Sequence, residues 1–382
     1  MGRLGRLLLI YFIIMSLAAC QKKKVETANP FFEEWTTPYG VPPFDRIRPE
    51  HSLPAFERGM SLHNAEIDAI VDTSDEPTFE NTIAAYDASG RMLQRTSLIF
   101  EMLAASDATP EMQAVEQEAM PLLAAHADEI RMNERLFGRI KAVYDRREAL
   151  PLTAAQRRLT EKLYRRFVRS GALLDEAGKR RLKEINGDLS RLSVKYGNNL
   201  LHENDAFGLE LTADRLEGLP NAVREAAREK AQAAGLGDKS YLFTLHKPSM
   251  LPFLSYAKDR KLREELYTAY LDRCNHGDEY DNKALVNDYI RLRTEKAHLL
   301  GYDSFADYVT ADQMAATPAA VYALLDEIWT PALDRARGEL AEMKELKRKE
   351  DGSDDFASWD WWYYAEKIRK SRYNLDQEAL RP

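Results

Sequence analysis

The stretch that most constrains this chain spans residues 287–315, NDYIRLRTEKAHLLGYDSFADYVTADQMA, and reads as a helix, a sharp stop and a second helix. The first half sets Val286, Ile290, Arg293 and Ala297 on one helical face and Tyr289, Leu292 and Leu299 on the adjoining one, so only a narrow stripe is expected to meet water. Gly301 directly follows the last periodic residue, where a left-handed backbone ends a helix without Cβ strain. Asp303 or Ser304 then offers a side-chain oxygen to cap the next helix, whose Phe305, Tyr308 and Val309 are expected to face inward. Local patterning therefore gives a tight helical pair.

Helical periodicity dominates elsewhere too, from about Pro49 onward. Ala55, Met60, Leu62, Ile67 and Ile70 recur at helical spacings, and Thr78-Phe79-Glu80-Asn81-Thr82-Ile83 opens a helix after Pro77. Within residues 179–201, Leu182, Ile185, Leu189, Leu192 and Tyr196 step by three and four, a stripe that demands a helical partner. The period changes once. Phe207, Leu209 and Leu211 alternate with small or polar residues, as do Tyr241, Phe243 and Leu245, which predicts two short strands bracketing a helix over residues 221–234. Helices resume over 256–273, and an acidic turn at 277–282 leads into the opening stretch. Beyond it, Thr317-Pro318 is a cap with a first-turn proline, launching a long helix with Val321, Leu324, Leu325 and Ile328 expected inward. Thr330-Pro331 either kinks or restarts that helix, the charged run 347–355 reads as a solvated turn, and the aromatic cluster 359–364 reads as core. No fixed-period repeat is present, which disfavours a solenoid.

The N-terminus carries Arg3 and Arg6, an apolar run over residues 7–19, and then Cys20 after Leu17-Ala18-Ala19. A run of about 13 residues spans about 20 Å as a helix, short of the roughly 30 Å hydrocarbon core, so residues 1–20 read as a signal peptide. The small residues before Cys20 resemble a bacterial lipobox, and Cys20 is the expected lipid attachment site; the alternative is an ordinary secretory signal with an incidental cysteine. Acyl chains contribute about 0.8 kcal/mol per buried methylene, enough for several to hold a protein on a membrane surface. A membrane-anchored lipoprotein in the periplasm or on the cell surface is therefore expected, with residues 21–44, rich in lysine and proline, as its tether. The other cysteine, Cys274, has no intramolecular partner after processing and reads as a packed small hydrophobe. A net charge of −8, with acids interspersed in every basic cluster, argues against nucleic acid as a partner.

Catalytic signals are sparse. His-Glu-x-x-His on a helix places two imidazoles at i and i+4 on one face to hold zinc, with the Glu acting on metal-bound water. The nearest approach is His202-Glu203-Asn204-Asp205-Ala206, whose fifth position lacks the second imidazole; it follows a helix that Gly197 and the asparagine pair are expected to weaken, and the strand-like Phe207 segment begins at once. His51, His63, His126, His246, His276 and His298 are scattered, with no pair at ligand spacing. No Gly-x-Ser-x-Gly elbow, phosphate loop or dinucleotide fingerprint occurs. The residues alone nominate no catalytic and no metal-binding side chain.

Several separated motifs nevertheless resemble one family. Asn29-Pro30-Phe31-Phe32, Pro43-Phe44, Pro49-Glu50-His51, the 77–83 segment and Ser89-Gly90 resemble the N-terminal part of bacterial peptidyl-dipeptidases, in the thimet oligopeptidase and oligopeptidase A family of zinc metallopeptidases. Leu292-Arg293, Glu295-Lys296-Ala297, Leu299-Leu300-Gly301-Tyr302, Met314-Ala315, Trp359-Asp360, Tyr363-Tyr364, Lys367, Arg369, Tyr373, Asp376, Glu378 and Arg381-Pro382 are similar to the start of its catalytic region. The resemblance implies a mainly α, two-lobed fold with one small β element, closing a channel over oligopeptides. It also implies zinc held by His-Glu-x-x-His and a more distant Glu, and removal of C-terminal dipeptides. In the family that motif lies downstream of Trp-Asp…Tyr-Tyr, so no ligand or general base carries over to a residue here. The expected organisation is an N-terminal helical lobe over 45–250 and the start of a catalytic region over 251–382. On this reading the chain is a truncated product or one piece of a split reading frame, inactive alone and binding no zinc, with a separate C-terminal half as a candidate partner. The rival is a non-catalytic helical lipoprotein that binds peptides or a partner chain.

Overall fold

The computed structural model describes residues 29–373. Cys20 and the signal and lipid-anchor expectations lie outside them, as do Asp376, Glu378, Arg381 and Pro382. The chain divides into two compact units, one up to Lys183 and one from Glu184. The described residues are mainly helical, with one two-stranded sheet. No helix among them is long and apolar enough to cross a membrane.

In the first unit, α1 (Ser52–Val71) buries Ala55, Phe56, Ile67 and Ile70, while Leu62 faces water. Gly59 lets α1 approach α3 (Arg91–Ser106) closely, since a Cβ there would meet the Leu93 Cα at 3.0 Å. Between them, Thr78 and Asn81 form a capping box that opens a π-helical turn, Phe79–Ala84, running into the short α2 (Ala85–Ala88). Gly90, at φ +70°, reverses the chain into α3. Next come α4 (Pro110–Arg131), α5 (Glu134–Arg146) and α6 (Ala154–Arg169), each started by a side-chain cap, from Thr109, Asn133 and Thr153. Ile67, Ile70, Ile83, Leu136, Ile140, Leu163 and Phe167 make the main core of this unit.

The division falls within α7 (Glu176–Ala206), which carries the stripe that begins at Leu182. Leu182 and Ile185 are buried, Leu189 and Leu192 half-buried and Tyr196 exposed, so cover thins along the stripe. Gly197 does not break the helix, which continues to Ala206, because a single glycine costs only about 1 kcal/mol in a helix of this length.

In the second unit, β1 (Leu209–Thr212) and β2 (Ser240–Phe243) pair antiparallel, Leu209 opposite Phe243 and Leu211 opposite Tyr241. They bracket α8 (Asn221–Ala233), as the alternation predicts. Leu209, Leu211, Val223 and Phe243 join Phe253 of α9 (Lys247–Tyr256) and Leu266 of α10 (Arg260–Leu271) in one core. The rest of the unit is α11 (Lys283–Leu299), α12 (Phe305–Thr310), α13 (Pro318–Asp351) and α14 (Trp361–Tyr373).

Several inward-facing expectations fail here. Val286, Ile290 and Val309 are exposed, and α11 buries chiefly Leu292 and Ala297. On α13, Leu324, Leu325 and Ile328 are exposed and Val321 only half-buried, beside an exposed Trp329. The apolar stripe is there, but no described element covers it. Pro331 does not restart the helix, since α13 runs unbroken through it to Asp351. The charged run 347–355 is helix up to Asp351, with Gly352 left-handed at its end, and Lys347 is buried rather than solvated, its ammonium paired with Asp351.

Candidate functional site

The helix, stop and helix of the opening stretch form as α11, a left-handed Gly301 at φ +80°, and α12. Ser304 is the cap, its Oγ accepting from Asp307 N–H at 3.1 Å. Arg293 ties the two helices together. Its guanidinium lies 4.2 Å from the Tyr289 ring centre and 4.7 Å from that of Phe305, and donates to the Tyr289 hydroxyl at 3.0 Å. Above it, Leu192 and Tyr196 of α7 and Leu285, Val286, Tyr289 and Ile290 of α11 line an open groove of about 400 Å³. The groove is mostly apolar, with Ser193 and the Arg293 cation also in its lining, a surface suited to an extended or helical peptide segment.

A second constellation centres on Asp360, just before α14, which has no exposed surface. Arg263 Nη2 donates to its Oδ1 at 2.8 Å, Arg260 Nη2 to its Oδ2 at 2.9 Å, and the Ala357 N–H to Oδ2 at 3.0 Å. Burial would raise the Asp360 pKa, but these donors outweigh it and hold the carboxyl below the usual carboxylate range. Arg263 also donates to the Ala257 carbonyl and lies 4.2 Å from the Tyr363 ring centre. Lys367 also lies over that ring, 4.3 Å from its centre, and pairs with Glu350. Burial, with Glu350 and Asp351 nearby, pushes the Tyr364 hydroxyl far up. Tyr363 and Tyr364 are buried with Met343 of α13, so this end of the aromatic cluster is core. Fully satisfied, this network fixes α10 against α14 but leaves no open titratable group.

The near-motif 202–205 is accounted for residue by residue. The His202 ring stacks on Tyr280 with centres 3.6 Å apart, Glu203 meets His276 at 3.1 Å, Asn204 accepts from Arg273 at 2.8 Å, and Asp205 meets His246 at 3.4 Å. Each side chain of the end of α7 is thus spent on holding neighbouring turns. Cys274 is buried at φ +56°, and burial raises its thiol pKa, the opposite of what a nucleophile needs. No group of three or more His, Cys, Asp or Glu among the described residues is placed to hold a metal ion. The residues described do not fit the zinc centre that the resemblance implies. One juxtaposition escaped sequence reasoning altogether: His63 of α1 and His126 of α4, 63 positions apart, are joined at 3.0 Å.

Residues 253–382 match the model of Peptidase family M3. The chain is similar to the "Dipeptidyl carboxypeptidase" of Escherichia coli, 36% identical over 357 residues, which is 93% of this chain and 52% of that protein. It is similar to the "Oligopeptidase A" of Haemophilus influenzae, 31% identical over 350 residues, covering 90% of this chain and 51% of that protein. A "Probable cytosolic oligopeptidase A" of Arabidopsis thaliana is 29% identical over 367 residues, 93% of this chain and 51% of that protein. The chain spans about half the length of these curated relatives.

Proposed function

We propose that this chain belongs to peptidase family M3 and forms the peptide-holding part of a zinc metallopeptidase that removes C-terminal dipeptides from oligopeptides. The observation that carries this reading is the extended identity to a dipeptidyl carboxypeptidase along nearly the whole chain. The groove between α7 and α11, with Arg293 in its lining, supports a role in holding peptide.

On this reading the chain does not hydrolyse peptides by itself. All seven histidines lie among the described residues, and none joins a metal-holding group. Zinc, when bound in a completed site, supplies a Lewis acid and an activated water; this chain's residues supply the frame. The completing part corresponds to the portion of the relatives that the chain does not span, on the same or a separate polypeptide. The uncovered face of α13, with Leu324, Leu325, Ile328 and Trp329, favours such a partner over an adapted stand-alone peptide binder. Lipid attachment at Cys20 and an extracytoplasmic location belong to the same proposal.

The test mixes the full chain with the unmatched portion of the Escherichia coli dipeptidyl carboxypeptidase, zinc and an N-terminally blocked peptide. Chelator-sensitive dipeptide release by the mixture, and by neither part alone, is expected. A full-chain preparation that binds peptide with unchanged affinity with or without the second part, and never yields turnover, favours the non-catalytic binder instead.

A further inference from the structure

The imidazoles of His63 and His126 meet in the first unit at 3.0 Å, His63 Nδ1 against His126 Nε2, with ring centres 5.1 Å apart. On its other side, His63 Nε2 lies 3.2 Å from Ser89 Oγ, in the turn between α2 and α3. These contacts fix the protons. Ser89 gives its one hydroxyl hydrogen to the Tyr86 carbonyl at 2.7 Å, so toward His63 it can only accept. His63 Nε2 therefore carries a hydrogen, its Nδ1 is bare in the neutral ring, and His126 Nε2–H donates to it. One chain of hydrogen bonds, His126 to His63 to Ser89, joins α4, α1 and the α2–α3 turn. The same turn is held a second time by Gly90 N–H donating to Glu66 Oε2 at 2.7 Å.

We propose that His63, His126 and Ser89 form an acid-released clasp that couples α1, α4 and the α2–α3 turn when neutral and lets go when both imidazoles are protonated. A first proton is tolerated geometrically, because a charged His126 still donates through Nε2. A second is not: it places an N–H on His63 Nδ1, so two donors and two like charges face each other across the contact. The charged groups facing the pair are Glu66 of α1 and Glu129 of α4, which favour protonation, but burial works against it more strongly at both rings. The charge on His126 holds His63 down further, so both imidazoles lie below the ordinary histidine value. Space leaves the rings no easy alternative, since Gly90 packs so closely that a Cβ there would lie 3.1 Å from the His63 ring. This device is independent of the peptidase reading.

The experiment measures amide hydrogen-exchange protection of α1, α4 and the 86–91 turn in the full chain from about pH 7.5 to about pH 5. A fall in protection on the order of fivefold, the loss of one interior hydrogen bond, is expected in the wild type as pH drops. In His63→Gln and in His126→Gln that fall should be absent. Protection that does not change with pH in the wild type, or changes equally in both variants, overturns the proposal. Should the variants not fold, histidine NMR titration of the wild type decides alone: two coupled steps below 6.5 support the clasp, and either ring titrating at or above 6.5 overturns it.

Discussion

Asp360 and Arg263 form an ion pair at 2.8 Å in which the carboxylate has no exposed surface and the guanidinium only 2%. A buried pair of this kind contributes modestly over an apolar substitute, yet removing one partner strands the other charge. Asp360→Asn keeps the shape and removes the charge, leaving Arg263 uncompensated. Urea denaturation near neutral pH should show a loss of about 3–5 kcal/mol in the second unit. A loss below about 1 kcal/mol would mean that the pair is solvated in solution.

The same carboxyl sets an acid limit. Its native pKa lies below the ordinary 3.8, so its stabilisation is fully present above 3.8 and is lost as pH falls through the native value. Wild-type stability should therefore drop in that acid window through this group, and Asp360→Asn should lack this component. Comparing denaturant midpoints of the two proteins at about pH 5 and about pH 2.5 checks the sign.

The exposed stripe on α13 makes the isolated chain prone to self-association. Leu325→Lys with Trp329→Glu should raise the monomer fraction in analytical ultracentrifugation while changing stability by no more than about 0.5 kcal/mol, because both side chains already face water. A wild type that sediments as a monomer with a sharp cooperative melt would contradict the prediction and favour a self-sufficient binding protein.

His202 stacks on Tyr280, with ring centres 3.6 Å apart. His202→Ala should lower stability by about 0.5–1.5 kcal/mol, the range of an aromatic pair, and leave metal content unchanged. A wild type that binds zinc and a His202→Ala variant that does not would contradict this and make His202 a ligand.

Gly218 sits at φ +90°, where an added Cβ would collide with the Tyr256 carbonyl. Gly218→Ala should cost more than about 1 kcal/mol through both strain and overlap, read as a lowered melting temperature.

What the sequence made legible was local. Gly301, Ser304 and Thr317-Pro318 act where their chemistry predicts, and the alternating residues around 209 and 243 do pair as strands. Periodicity failed at Leu324, Leu325 and Ile328 because it reports which face of a helix is apolar and not whether a neighbour covers it. Lys347 was misread because a charged run hides a single buried ammonium whose partner, Asp351, sits in the same run. The His63–His126 contact had no sequence signal, since a separation of 63 positions carries no ligand spacing. Of the candidate site, the motifs around 292–302 and 359–364 marked the family, while Arg293 between two rings and Asp360 between two arginines needed the fold.

The central claim is that this chain supplies a peptidase frame without its metal centre. Zinc content and dipeptide release, measured together on the purified full chain, test it most directly. The account predicts far less than one zinc per chain and no release from a blocked peptide. One tightly held zinc per chain with chelator-sensitive release of dipeptides would contradict it.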